Sequence, residues 1–187
     1  GEGSVNLGTI HVGKTNLINQ EYSIAMATGY IDSKTGAISN EGLIENRGNI
    51  FVTEKDSIGM YAVGSRSKAI NHGNITLSGE NTSGMYIDQG AEGINYGTIE
   101  STGNAKGIKG VVTVNGGYIK NYGTIKITTA DGIGIYQDET TVRGNKNESK
   151  IGSLANVVGG KSAVYSASST DRKYIITPKG ELIIQNP

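Results

Sequence analysis

The chain lacks cysteine and tryptophan altogether, and it has a single phenylalanine and two prolines among its 187 residues. Without cysteine, neither a disulfide framework nor a thiolate metal site can form. Hydrophobic residues make up 35% of the chain, below the roughly 45 to 50% of an ordinary globular domain. No apolar run reaches the roughly 18 residues that a membrane-spanning helix requires. The composition therefore argues against a bulky aromatic core.

The charge balance limits the classes of partner. The 17 Lys and Arg residues equal the 17 Asp and Glu residues, so the formal net charge is zero. A chain without net positive charge or a basic stripe offers no long-range attraction to phosphates, and we expect no nucleic-acid partner. Zero net charge also differs from the highly charged composition of disordered chains.

Glycine is abundant, with 29 copies, and many of them recur at a fixed spacing. The segment Ile70–Ile75 returns at Ile94–Ile99 and, in shorter form, at Asn121–Ile125. The glycine of this Asn-x-Gly-x-Ile unit recurs at steps of 25, 24 and 26 residues, at Gly48, Gly73, Gly97 and Gly123. A fixed period between about 20 and 50 residues is typical of solenoids, in which each repeat is one stacked unit.

A second column keeps nearly the same period, with a small residue followed by an aliphatic one. The aliphatic members are Met26, Met60, Met85, Ile108, Ile135 and Val164. We predict that they form a vertical inward file. The residues that follow them are Ala27, Tyr61, Tyr86, Lys109, Tyr136 and Tyr165. This series is expected to face outward, because it contains a lysine and an unpaired lysine is rarely buried.

Short alternating segments such as Asn74–Leu77 indicate strands, and polar turn clusters such as Ser78–Ser83 separate them. Parallel strands need a crossover of about a dozen residues, which each coil of a β-helix supplies, with right-handed winding as the default. The sequence therefore predicts an all-β, right-handed parallel β-helix, or β-solenoid. Each coil has about 25 residues and three short strands, and about seven coils stack at about 4.8 Å.

We interpret residues 1–187 as a single β-helix segment and a fragment of a longer protein. The lengthened repeat after Ala25 predicts an extruded loop at Asp32–Gly36. Residues 137–150 are predicted to form a second extruded loop, which is either a tolerated insertion or a recognition element. Residues 166–187 are interpreted as a degenerate coil or a terminal hairpin.

The corner asparagines Asn46, Asn71, Asn95 and Asn121 occupy equivalent positions. Stacked amides can hydrogen-bond along a rod, so we interpret these residues as structural. The glycine two positions later is expected to supply either a positive φ or close packing.

Little in the sequence points to catalysis. A nucleophilic triad needs a base, and only His11 and His72 are available. His72 shares its repeat position with Leu7, Arg47, Tyr96 and Tyr122, which indicates an ordinary surface residue. No metal-ligand spacing, phosphate-binding loop or calcium loop occurs. We expect no catalytic residue, no metal and no cofactor.

A polysaccharide-cleaving β-helix enzyme is an alternative, because such enzymes place two carboxylates close together. The acidic candidates are Glu54, Asp56, Asp88, Glu92 and Asp131. They fall at different phases of the repeat, so no stacked acid pair is expected and the chain is predicted not to be an enzyme.

Tyr61, Tyr86, Tyr136 and Tyr165 are the candidate ligand-binding residues, in an external and nearly linear stripe interrupted by Lys109. Tyrosine combines a rigid contact area with a hydrogen-bonding tip, which suits the binding of proteins or sugars. The alternative is that these rings only stack on one another and shield the backbone.

The units Thr82–Tyr86 and Gly93–Ile99 resemble repeats in the passenger regions of type V autotransporters, especially the large fusobacterial adhesins. The resemblance covers residues 40 to 136 well and both ends poorly. It implies a surface-exposed passenger that is exported through, and anchored in the outer membrane by, a C-terminal barrel absent from this chain. No binding residue is carried over, because the matching motif is the scaffold repeat.

By this resemblance, the chain is a non-catalytic adhesin segment, or the stalk that presents one, at the bacterial cell surface. Its expected partner is a surface protein or glycan of a host cell or another bacterium, and the chain is expected to be a monomeric rod. The alternative is a purely structural spacer that binds nothing.

Overall fold

The computed structural model describes residues 3–15, 22–138, 146–147, 156–167, 173–176 and 182–185. No α-helix occurs in these ranges. The strands are β1 Ser4–Asn6, β2 Thr9–His11, β3 Ile24–Thr28, β4 Tyr30–Ile31, β5 Ile38–Ser39, β6 Leu43–Asn46, β7 Asn49–Val52, β8 Ile58–Val63, β9 Lys68–Asn71, β10 Asn74–Leu77, β11 Ser83–Asp88, β12 Glu92–Asn95, β13 Thr98–Ser101, β14 Lys109–Thr113, β15 Tyr118–Asn121, β16 Thr124–Ile127, β17 Ile133–Asp138, β18 Lys146–Asn147, β19 Val157–Gly159, β20 Ser162–Ala167, β21 Lys173–Ile176 and β22 Leu182–Gln185.

Three parallel six-stranded sheets form the rod. The first sheet has the order β1-β6-β9-β12-β15-β18, the second β2-β7-β10-β13-β16-β19 and the third β3-β8-β11-β14-β17-β20. Each coil contributes one strand to each sheet, and four coils, from β6 through β17, follow one another without a gap in the described chain. The predicted β-solenoid with three short strands per coil is confirmed. The described strands form six coils rather than about seven, and the right-handed winding stays a prediction from the connection rule.

Two antiparallel pairs lie outside these sheets. Strands β4 and β5 pair between the first and second coils, and the predicted loop Asp32–Gly36 forms the turn between them. Strands β21 and β22 also pair antiparallel, within residues 166–187. Residues 137–138 end β17 and residues 146–147 form β18. The rest of the predicted loop at 137–150 lies outside the described residues.

The predicted members of the inward file are confirmed in five coils, and the predicted member of one coil is wrong. The register aligns Met26, Met60, Met85, Val111, Ile135 and Val164. The member from the fourth coil is therefore Val111, although Ile108 is also fully buried. The outward residue there is Val112 and not Lys109, which pairs with Ser83. Two small-then-aliphatic dipeptides follow each other at 107–108 and 110–111, and the sequence reasoning aligned the first of them.

A file of glycines explains why the second dipeptide is the correct one. Its members in the middle coils are Gly59, Gly84, Gly110 and Gly134, and a Cβ at any of them would lie 2.5 to 2.6 Å from a carbonyl oxygen of the next coil. Gly107 instead lies in a turn with φ of +75°. At these four positions glycine is thus a steric requirement of coil stacking, whereas alanine occupies the column at Ala25 and Ala163, in the first and last described coils.

The corner asparagines form a continuous amide ladder. Each side-chain Nδ2 donates to the Oδ1 of the next coil at 2.9 Å, along the series Asn6, Asn46, Asn71, Asn95 and Asn121. The last four are fully buried, with 0% exposure. Each Nδ2 also donates to the carbonyl of the glycine two positions later. The predicted structural stack is confirmed.

The corner glycines are required for close packing and not for a positive φ. A Cβ at Gly48, Gly73, Gly97 or Gly123 would lie 2.0 to 2.2 Å from the carbonyl oxygen of the glycine in the preceding coil. None of the four has a φ in the left-handed region.

Replacement of a ladder asparagine should destabilise the rod. We expect Asn71→Ala to lower the free energy of unfolding by about 2 to 4 kcal/mol, because a buried donor on Asn46 and a buried acceptor on Asn95 lose their partner. Urea denaturation followed by circular dichroism measures this. Asn74→Ala is the matched control, because the side-chain hydrogen bond from Asn74 to Asn49 is exposed to solvent. This substitution should change the free energy of unfolding by less than about 0.5 kcal/mol. Equal losses in the two variants would contradict the assignment.

Candidate functional site

The outer side of the third sheet carries the candidate tyrosines, and we call it the tyrosine face. The register aligns Tyr61, Tyr86, Val112, Tyr136 and Tyr165 on successive coils. The structure therefore brings all four predicted residues into one file, with Val112 as the interruption where the sequence placed Lys109. Their role in binding stays a prediction.

The tyrosine rings form two separate stacks along the rod. Tyr61 and Tyr86 have ring centroids 5.5 Å apart with planes at 35°, and Tyr136 and Tyr165 have centroids 5.4 Å apart with planes at 15°. These distances follow from the spacing of parallel strands, about 4.8 Å, which places equivalent side chains one above another. The stacking that the sequence offered as an alternative role is present, and it does not exclude ligand contact along the file.

A groove of about 590 Å³ runs along the tyrosine face, a volume within the range of about 300 to 1,000 Å³ that ligand sites occupy. It is lined by Tyr22, Ile24, Asp56, Ile58, Tyr61, Asn81, Ser83, Tyr86, Lys109, Val112, Val114 and Tyr136. Aromatic and aliphatic side chains thus alternate with carboxylate, amide, hydroxyl and ammonium groups. Such a lining can hold an apolar ring and a few polar contacts at once.

Lys109 is the cation of this groove. Its Nζ lies 5.6 Å from the ring centre of Tyr136, within the distance of a cation–π interaction. Partial burial lowers the pKa of Lys109, and Lys161 adds to that effect while Asp131 opposes it. Lys161 stands over the next ring, with its Nζ 5.4 Å from the ring centre of Tyr165.

Tyr61 is an acid of the groove whose pKa is raised. Burial, the nearby charge of Asp88 and the neighbouring Tyr86 raise the pKa of Tyr61 to about 12. Asp88 is itself buried and accepts a hydrogen bond of 2.9 Å from Nδ2 of Asn115. The Tyr61 hydroxyl therefore stays protonated at neutral pH and acts as a hydrogen-bond donor.

Two of the acidic residues that could serve an enzyme are engaged in structural contacts. Glu92 accepts a 2.8 Å hydrogen bond from the Tyr118 hydroxyl and lies 3.6 Å from Lys120. Asp56 accepts a 2.6 Å hydrogen bond from Asn81. Glu54 is exposed.

The expectation that all five acids differ in phase is wrong for Asp56 and Asp131. Both lie at the corner before the third sheet, with Asn81 and Gly107 in the two coils between them. Three coil steps separate the two carboxylates by about 14 Å. That distance exceeds the roughly 5 to 9.5 Å of the carboxylate pairs in glycoside hydrolases.

A second ring stack was missed by the sequence reasoning. His72 stacks on Tyr96 and Tyr96 on Tyr122, each pair with centroids 5.1 Å apart, at the corner between the first and second sheets. His72 Nε2 also lies 3.9 Å from Glu45. The signal was available, because these residues share one position of the corner repeat. The other histidine, His11, stacks on Phe51 at 5.0 Å.

Over the described ranges, no group of three or more His, Asp or Glu side chains could hold a metal ion. The same part of the chain contains no helix with the length and apolar character that a bilayer crossing needs.

Comparison with known proteins gives one family. Residues 2–97 match the family described as "BigA third pectate lyase-like domain". No curated protein and no solved structure matches the chain. The matched region runs from the first coil into the fourth. The match indicates a β-helical domain of a bacterial surface protein, which agrees with the broader part of the passenger expectation.

The perturbed hydroxyl of Tyr61 can be tested by titration. The difference in phenolate absorbance between the wild type and Tyr61→Phe should have its midpoint near pH 12 instead of 10. Because the pKa is raised in the folded state, the associated stability is complete below pH 10 and is lost as the pH rises towards 12. Asp88→Asn should lower the midpoint by removing a nearby negative charge. A midpoint of 10 in the wild type would show that Tyr61 is solvated.

Proposed function

The chain belongs to the family of the BigA third pectate lyase-like domain, and from this membership we propose that it is a non-catalytic adhesin segment of a bacterial surface protein. In this proposal the tyrosine face binds a protein or glycan on host cells or on other bacteria. The groove along that face carries the proposal, because it combines stacked rings, a half-buried ammonium and exposed polar groups.

The rod supports such a role through its rigidity. The groove is lined by residues from the first coil to the fifth, and each neighbouring pair of strands is held by a parallel ladder. A binding surface built on stacked strands loses little conformational entropy when a ligand binds. The resemblance to fusobacterial autotransporter adhesins and the anchoring of the full-length protein in the outer membrane belong to the same proposal.

Polysaccharide cleavage is the competing function, because the family description contains the words "pectate lyase-like". Three observations favour binding without catalysis. Glu92 is held by Tyr118 and Lys120, Asp88 is buried, and Asp56 and Asp131 are three coils apart.

A binding screen on the purified chain tests adhesion directly. We expect the chain to bind a bacterial cell, a host cell or an immobilised glycan, and the double variant Tyr86→Ala, Tyr136→Ala to bind at least about tenfold more weakly. Tyr96→Ala is the matched control, since it removes an exposed tyrosine from a different corner. A variant lacking residues 138–149 tests the predicted loop separately. Circular dichroism checks that each variant keeps its β-structure.

Two results would contradict adhesion by this face. A chain that binds no cell or glycan is a spacer rod. A double variant that binds as tightly as the wild type places the binding site elsewhere on the chain.

We also expect no cleavage of polygalacturonate or other acidic polysaccharides, assayed by the release of new chain ends. The two candidates that share a phase of the repeat, Asp56 and Asp131, are three coils apart, which is too far for the carboxylate pair of a glycoside hydrolase. Turnover that disappears when any one of the five acidic candidates, Glu54, Asp56, Asp88, Glu92 or Asp131, is replaced by its amide would overturn the non-catalytic assignment.

A further inference from the structure

The file on the tyrosine face has a ring on each side of Val112 and none at Val112 itself. Tyr86 lies one coil before Val112 and Tyr136 one coil after it. Two coil steps span about 10 Å. A planar ring inserted between these two tyrosines would therefore lie about 5 Å from each, close to the 5.4 and 5.5 Å of the stacks already in the file.

The position above Val112 belongs to the open groove. Tyr86, Val112, Tyr136 and Lys109 all line it. The Val112 side chain is 5% exposed and forms an apolar floor. Its two methyl groups take much less space than a phenol ring, so the file of rings is interrupted at this coil.

Lys109 gives this position a positive charge. Its Nζ stands over the Tyr136 ring, and no Asp or Glu of the described ranges lies within the 4.0 Å of an ion pair with it. Partial burial lowers the pKa of Lys109, and the charge of Asp131, beyond ion-pair distance, opposes that shift only in part. A carboxylate brought to this ammonium would supply the missing compensation.

We propose that Tyr86, Val112, Tyr136 and Lys109 form a slot, here called the Val112 slot, for one aromatic side chain of a partner protein with a carboxylate beside it. This inference rests on the proposed function, because the partner is the one that the tyrosine face binds. An aromatic ring is favoured over a sugar ring since planar aromatic rings are the groups that the file stacks in the adjoining coils.

Small ring compounds test the slot without a cell or a partner. The probes are N-acetyltyrosine, its neutral amide, cyclohexylacetate and glucuronate, and binding is followed by NMR titration of the intact chain. N-acetyltyrosine should bind in the millimolar range or tighter. Its affinity should exceed that of the amide by about fivefold, because only the acid pairs with Lys109, and it should exceed that of cyclohexylacetate by about threefold through ring stacking.

Substitution at the floor gives the sharpest control. Val112→Tyr should complete the file and weaken N-acetyltyrosine binding by at least about tenfold, whereas Tyr96→Ala, at a different corner of the coil, should keep the binding. Lys109→Met should abolish the preference for the acid over the amide while the amide still binds. If the circular dichroism spectrum shows that Val112→Tyr does not fold, the slot is tested by Lys109→Met, which must lose the preference for the acid over the amide.

The slot is refuted if no probe binds, if cyclohexylacetate or glucuronate binds as tightly as N-acetyltyrosine, or if a folded Val112→Tyr variant binds normally. Failure of the slot is distinguishable from failure of adhesion, because the probes are measured without cells. If the chain binds cells but not the probes, the Val112 slot is contradicted and adhesion is not. If it binds the probes but not cells, the slot is supported and the adhesin role is contradicted.

Discussion

Parallel pairing of equivalent residues on successive coils is the constraint on which the rest of this structure depends. It places amide on amide at the corner asparagines, with bonds of 2.9 Å in every step. It also requires glycine where backbones approach within the space of a methyl group, as at Gly84 and Gly97. The asparagine hydrogen bonds set the spacing between successive coils, and the glycines allow the backbones to approach to that spacing. The asparagine and glycine columns together therefore fix which residues pair.

The same register determines what the surface can present. A residue repeated at one phase of the repeat becomes a line of contacts along the rod, and a residue that departs from the repeat becomes a break in that line. The stack of Tyr61 on Tyr86 and the stack of His72 on Tyr96 are lines of the first kind. Val112 is a break. Positions where a residue differs from its equivalents in the other coils therefore distinguish one part of the surface from another more than the repeated residues do.

Most of the fold can be predicted from the sequence, because the repeat is marked by asparagine and glycine residues that other residue types cannot readily replace. Buried amides and contact glycines are identifiable by type, and their spacing predicted the solenoid and the corner ladder. The fourth coil was misaligned because Gly107 and Gly110 are both followed by an aliphatic residue, and only the backbone shows which of them lies in a turn. The groove could not be predicted, since its lining combines residues of several coils whose side-chain depth depends on that alignment. The ring stack at His72 could have been predicted from the sequence, because His72, Tyr96 and Tyr122 occupy one repeat position.

The amide ladder also has a direction. In each of its four bonds, from Asn6 to Asn121, the Nδ2 of one asparagine donates to the Oδ1 of the asparagine in the coil that follows. Aligned side-chain dipoles add along the rod and polarise one another, which makes its two ends electrically unlike. A coil can therefore continue the ladder in one orientation only, because a reversed coil would not present an amide oxygen to the N–H of its neighbour.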